Sequence, residues 1–321
     1  MNSKMAQLTH TNAFRNYGGT LLALLVLVLL FSFTNQYFFT ARNIQNVLVQ
    51  MAIIAILAFG MTYVLMLGQI DLSVGSIIAV SGIMLGWGLQ TGVRPLVAVI
   101  LSLLVGVCCG TLNGLISSYM RIPTFIVTVA TMGIFRGGGY AVTGAAPISI
   151  NDPVIEWFGN GRVAGVPVPI IIMIVMLVVM HVTLTRTKFG RQIVLTGGNV
   201  EAARFAGIRV EKLQLYVFMI MGGAAAVSAL IMTSRLYSAQ PNAALGYELD
   251  AIAAAVLGGT SLTGGRGTVM GTFIGALIIA VVNNGMNLLG IEYYFQTIVK
   301  GLIIIAAVYI DVRSKKQRLT K

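Results

Sequence analysis

A chain of 321 residues that is 57% hydrophobic and 9% charged, with mean hydropathy +0.90, is too apolar for a water-soluble globular domain, where roughly a quarter of residues are charged. Its apolar runs are continuous rather than alternating, which excludes a transmembrane β-barrel, and its 37 glycines suit helices that pack closely or break inside lipid. The formal net charge of +12 is not a nucleic-acid signature, because the basic residues fall between apolar runs and gather on one side of them.

The expected fold is an all-α polytopic membrane protein, one transmembrane domain over residues 1–321, with a mixed polar tail at 1–17. Runs of about 20 apolar residues cross roughly 30 Å of hydrocarbon. Spans are predicted near 18–34, 47–67, 74–90, 96–117, 124–141, 169–185, 213–233, 251–263, 269–289 and 294–311, ten crossings in all. The first is followed by Asn35 and Gln36 rather than a small-residue cleavage site, so it reads as a retained span and not a signal peptide. With the N-terminus inside, the inner segments hold Lys4, Arg15, Arg121, Arg186, Lys188, Arg191, Arg204, Arg209, Lys212, Arg266, Arg313, Lys315, Lys316, Arg318 and Lys321. The outer segments hold Arg42, Arg94, Arg136, Arg162 and Arg235. This bias predicts both termini, including the tail at 312–321, in the cytoplasm.

Between the second and third spans, "LMLGQIDLSVGSII" (65–78) sets Asp71 between Gly68 and Gly75, with Ser73 and Ser76 close by. Glycines let the backbone leave helical geometry, and such a break is tolerated in lipid only where protein or water satisfies the freed amides and carbonyls. Asp71 reads as the N-cap of the next helix; roles in lining a pathway or carrying protons are the alternatives. The pattern returns 190 residues later: "LGQIDLSVG" (67–75) matches "LGGTSLTGG" (257–265), with Gly258, Ser261 and Gly264 in the second copy. Both copies fall on one side of the predicted topology, so they suggest a two-part bundle with short broken helices rather than a simple inverted repeat. The run at 251–263 is short for a straight crossing and reads as a tilted span or a re-entrant half-helix.

Further along, Cys108 and Cys109 are adjacent in one span and read as two buried thiols, and Asn113 follows on the same helix. The loop at 142–169, with Asp152, Glu156 and Trp157, is the largest predicted outer surface. Arg162 there, with Arg235, is a candidate docking point for a delivering protein that presents carboxylates. The cytoplasmic loop at 186–212 contains "GGNVEAARFAGIRV", which reads as a short helix with Asn199 as N-cap, Glu201 in the first turn, Ala202 and Ala203 within and Gly207 as its left-handed stop. So short a helix needs something to pack on. Arg204 and Glu201 offer polar contacts, while Val200, Phe205 and Ile208 offer apolar ones. Asn113, Asn283 and Asn287 are candidate pathway residues, the last two four apart on one helical face, although an amide in lipid can equally join two helices. Lys300 is expected to face protein or to snorkel, and Glu248 and Asp250 to cap the outer start of a helix, where they would also suit gating.

"GQIDLSVGS", "GGNVEAARFAGIRV", "SAQPNAALGYELDAIAAAVLGGTSLTGGRGTVMGTFIGAL" and "NNGMNLLG" resemble the permease subunits of bacterial ribose-type sugar ABC importers, over about residues 20–312. The resemblance implies an ABC importer permease bundle in the inner membrane, forming the path for a monosaccharide such as ribose. It implies a second permease subunit, most simply an identical one, a separate cytoplasmic ATP-binding subunit seated on the loop around 197–210, and a periplasmic sugar-binding protein. The lipid bilayer is the remaining partner, and no nucleic acid is expected. The sequence agrees with this division of labour: it has no G-x-x-x-x-G-K-[ST] loop, so ATP and Mg are expected on the partner ATPase and no cofactor on this chain. His10 and His181 stand apart from any metal constellation, so neither a metal nor enzymatic catalysis is expected. A proton-coupled secondary transporter with Asp71 as carrier is the alternative function.

Overall fold

A computed structural model describes the backbone of residues 2–319 and the side chains of 18–306, 308 and 309. The side chains of Lys4, His10 and Arg15 and those of the 312–321 tail lie outside the described residues. The long helices are α1 (Asn2–Thr34), α2 (Ala41–Met66), α3 (Val74–Gln90), α4 (Pro95–Tyr119) and α5 (Thr124–Thr143). A strand β1 (Ile148–Ser149), the short helix α6 (Pro153–Asn160) and a small hairpin of β2 (Arg162–Val163) and β3 (Val166–Pro167) lead into α7 (Val168–Arg186). Then come α8 (Lys188–Gly198), α9 (Val200–Phe205), α10 (Val210–Leu236), β4 (Ser238–Ala239), α11 (Tyr247–Leu257), α12 (Val269–Leu288) and α13 (Tyr293–Leu319). Strand β4 pairs antiparallel with β1.

Helix α2 forms the centre. Every residue from Met51 to Met66 is buried, and the helix packs against α7, α10, α11 and α12. Apolarity alone does not choose this place, since α7 is more apolar and far less buried; the close approach of Gly60 to Met221 and Ala224 of α10 and the Thr62–Thr272 hydrogen bond to α12 hold α2 in the middle. The tightest pair is α4 on α10. Gly106, Gly110 and Gly114 lie one turn apart on α4, and side chains at these positions would strike Gly222, Phe218 and Leu215 of α10. Small residues at this spacing let two backbones touch, which is how helices associate where lipid removes the hydrophobic drive. Cys109 is buried as expected, whereas Cys108, rotated by about 100° on the helix, is exposed.

Among the described residues, six helices are long and apolar enough to cross a membrane: α2, α4, α5, α7, α10 and α12. Three shorter apolar helices cover Gly18–Thr34, Val74–Gln90 and Tyr293–Ala306. The eighth expected crossing, 251–263, is not one helix. Helix α11 starts after Gly246, a glycine with φ +83°, and ends at Leu257. Ahead of it, residues 240–246 run without regular structure alongside α3, from Ala239 against Gly86 to Ala244 against Gly75, eleven positions or about 16 Å along that helix. Helix α11 continues for about another 16 Å. Irregular strand and half-helix together cover the distance that one helix covers elsewhere. On the neighbouring path the order is reversed: 67–73 is irregular and α3 helical. The N-terminal ends of α3 and α11 therefore meet, with the Glu248 carboxylate beside Gly75.

Candidate functional site

The first break begins where α2 stops. Gly68 adopts φ +72°, and the amides of Gly68 and Gln69 bond back to the Leu65 and Val64 carbonyls at 2.8 and 3.2 Å. Asp71 is fully buried. Its Oδ1 accepts from the Ser73 amide at 2.9 Å and the Ser73 hydroxyl at 2.6 Å, and Asn113 Nδ2 donates to that hydroxyl at 2.7 Å. Asp71 is thus not the N-cap of α3; Ser73 occupies that position. The short aspartate arm reaches an amide two residues on, ahead of the helix, and closes a side-chain turn there. Asn113, a predicted pathway residue, is tied into this turn.

The second break repeats the device with other atoms. Ser261 Oγ accepts from the Thr263 amide at 3.4 Å and shares a hydrogen bond with the Thr263 hydroxyl at 3.0 Å. The left-handed stop after α11 falls on Gly259 at φ +88°, one residue later than alignment with Gly68 places it. Gly258 instead keeps helical geometry and packs on the Gly271 backbone, while Gly264 is left-handed at φ +85°.

The two breaks touch, and α8 is wedged against both. The Gly265 amide donates to the Met66 carbonyl at 2.8 Å. Gly264 faces the Gly197 carbonyl and the Gly68 amide, and a methyl on Gly197 would overlap the Met66 carbonyl. Only glycine permits backbones this close. Helix α9 follows directly. Asn199 Oδ1 accepts from the Ala202 amide at 3.0 Å, Gly207 closes the turn at φ +79°, and Ala203 is buried. Phe205 is 91% exposed, and Val200 is exposed beside it. Arg204 pairs with Glu211 at 2.8 Å, both side chains remaining partly exposed, and Glu201 lies on the exposed side. Sequence reasoning missed α8. Its signal was Thr187, whose hydroxyl caps the Gly190 amide at 3.2 Å, followed by Phe189, Ile193 and Thr196 on one face.

At the opposite end of the bundle, Arg162 and Arg235 line one cavity of about 290 Å³ together with Arg42, Gln45, Asn46 and Asn160. The predicted pair is joined there by a third arginine from α2. Of the asparagines on α12, Asn287 is exposed and accepts from Gln296 at 2.7 Å, while Asn283 is half-buried. The buried amide between them, Asn284, exchanges two hydrogen bonds of 2.8 and 2.9 Å with Asn43 of α2. Arg136 is not at an outer edge. It sits partway along α5 and donates from Nη1 to the Pro241 and Ala243 carbonyls at 2.8 and 2.6 Å. Glu248 and Asp250 are likewise inside the bundle, and Lys300 meets Asp250 at 2.9 Å.

Among the described residues, no group of three or more His, Cys, Asp or Glu side chains converges as a metal site. The arrangement can hold two backbone discontinuities, present a rigid two-helix surface at one end and an arginine-lined cavity at the other, and keep charge partway through its length.

Comparison with known proteins completes the assignment. A family model described as branched-chain amino acid transport system / permease component matches residues 43–308. The ribose import permease protein of Bacillus subtilis (strain 168) is 44% identical over 295 residues, 91% of this chain and 92% of that protein. Its counterpart in Escherichia coli (strain K12) is 43% identical, covering 93% of this chain and 94% of that protein. The D-allose transport system permease protein of the same strain is 37% identical, covering 91% of this chain and 90% of the relative. No solved structure matches. With the family match running through nearly all the spans and the relatives aligning over nine-tenths of the chain, the protein belongs to this permease family of ABC transporters, among its ribose-type sugar permeases, and is a multi-pass protein of the inner membrane.

Proposed function

We propose that the chain is the membrane-spanning subunit of an ATP-driven importer and carries a pentose or similar monosaccharide, ribose first among them. The identities to two ribose import permeases support the sugar class. The observation that carries the mechanism is the junction of Gly197, Met66 and Gly265, which ties the α8–α9 surface to both membrane breaks. In this reading a cytoplasmic ATP-binding subunit seats on α9 around Phe205, so that its movement on ATP binding shifts α8. The glycine contacts carry that shift to both breaks at once. Two copies of the chain form the path, both termini are cytoplasmic, and a periplasmic binding protein delivers sugar by setting carboxylates against Arg42, Arg162 and Arg235. Arginine suits this, since its planar fork takes a carboxylate in two parallel hydrogen bonds. Hydrolysis belongs to the partner, so the chain itself is not an enzyme.

The test pairs two surfaces. Phe205→Ala should reduce binding-protein-stimulated ATP hydrolysis by about tenfold, the loss typical of removing a central aromatic anchor. Reversing Arg162 and Arg235 to Glu should abolish delivery while the permease still assembles with its ATPase. Full stimulation in the first variant, or full uptake in the second, contradicts the reading.

A further inference from the structure

Charges inside a membrane bundle are costly and need a reason. Four lie together here. Arg136, more than halfway along α5, holds the two carbonyls of the irregular 240–246 segment. Glu248 stands in the first turn of α11 against Gly75, where the ends of α3 and α11 meet. One turn's reach away, Asp250, 2% exposed, pairs with Lys300. The Asp250–Lys300 pair neutralises itself. Arg136 spends one nitrogen on carbonyls and lies within electrostatic reach of the half-buried Glu248 carboxylate, and both retain hydrogen-bonding capacity. Asn242, between the two residues whose carbonyls Arg136 holds, is exposed. Non-helical backbone at membrane depth is tolerated against protein or a water-filled path, and lipid cannot satisfy these groups.

We infer that this ledge, formed by Arg136, Asn242 and Glu248, is where the permease contacts its solute, a neutral polyhydroxylated molecule. The inference rests on the sugar-import reading and adds a place to it. Donors on Arg136 and Asn242 and acceptors on Glu248 and Asn242 match hydroxyls, which donate and accept at the same atom. A solute with a single charge has a poorer fit, because a cation meets Arg136 and an anion meets Glu248.

The experiment uses the full importer in proteoliposomes, with Cys108→Ala and Cys109→Ala as background. Asn242→Cys should react with a membrane-impermeant thiosulfonate, and binding protein loaded with ribose plus ATP should slow that reaction. Glu248→Gln and Asn242→Ala should each lower uptake by about tenfold, as expected for loss of one or two hydrogen bonds including a charged partner, while binding-protein-stimulated ATP hydrolysis persists. No labelling of Asn242→Cys, or unchanged uptake in both variants, overturns the ledge but leaves the importer reading intact. Absence of sugar uptake by the background complex itself overturns that reading instead.

Discussion

At the scale of single residues, Asp71 separates the two functions considered. If it shapes the break, its work is to accept from the Ser73 amide and hydroxyl, and an asparagine Oδ1 does the same. Asp71→Asn should then retain most uptake, whereas Asp71→Ala, which leaves a buried amide and hydroxyl without an acceptor, should cost about 1–3 kcal/mol of stability, read as a lower unfolding temperature of the detergent-solubilised protein. A proton carrier predicts that Asn is as inactive as Ala. Ser261 standing in the same turn geometry at the second break argues for shape over charge, since a serine hydroxyl does not ionise near neutral pH but can close the same turn. Arg136 shows why some residues were misread from sequence. Its position near the end of a predicted span placed it outside, but its partners are carbonyls 105 and 107 residues away, and no local pattern encodes such a contact.

At the scale of elements, the long helices were legible because a run of 20 or so apolar residues has few alternatives in lipid. The Asn199 cap and the Gly207 stop of α9 were legible too, since capping chemistry is local. The crossing made by 240–257 was not. Its irregular half carries no periodicity and is held by tertiary contacts with α3 and α5. The junction at α8 gives a sharp pair of predictions. Gly197→Ala places a methyl on the Met66 carbonyl and should uncouple ATP hydrolysis from uptake or prevent assembly, while Gly198→Ala, with nothing within 4 Å, should behave as the parent. Equal behaviour of the two in a coupled transport assay would remove the junction from the mechanism. Between α4 and α10, Gly110→Leu should cost several kcal/mol by forcing the backbones apart, seen as loss of the permease from the membrane fraction.

At the scale of the whole molecule, the bundle has a short helix with an exposed Phe205 at one end, an arginine-lined cavity at the other and two linked breaks with a cluster of charged residues between them. This layout suits a solute path driven from outside the chain: the surface that presents Phe205 is joined to the breaks through backbone contacts rather than flexible side chains. The central claim is that ATP on a partner, not an ion gradient, drives sugar through this chain. The most direct measurement is uptake of labelled ribose into proteoliposomes holding the permease with its ATP-binding subunit and supplied with the binding protein. The account predicts accumulation that requires ATP inside and is unchanged by a protonophore; accumulation that follows an imposed proton gradient in vesicles lacking the ATP-binding subunit would contradict it.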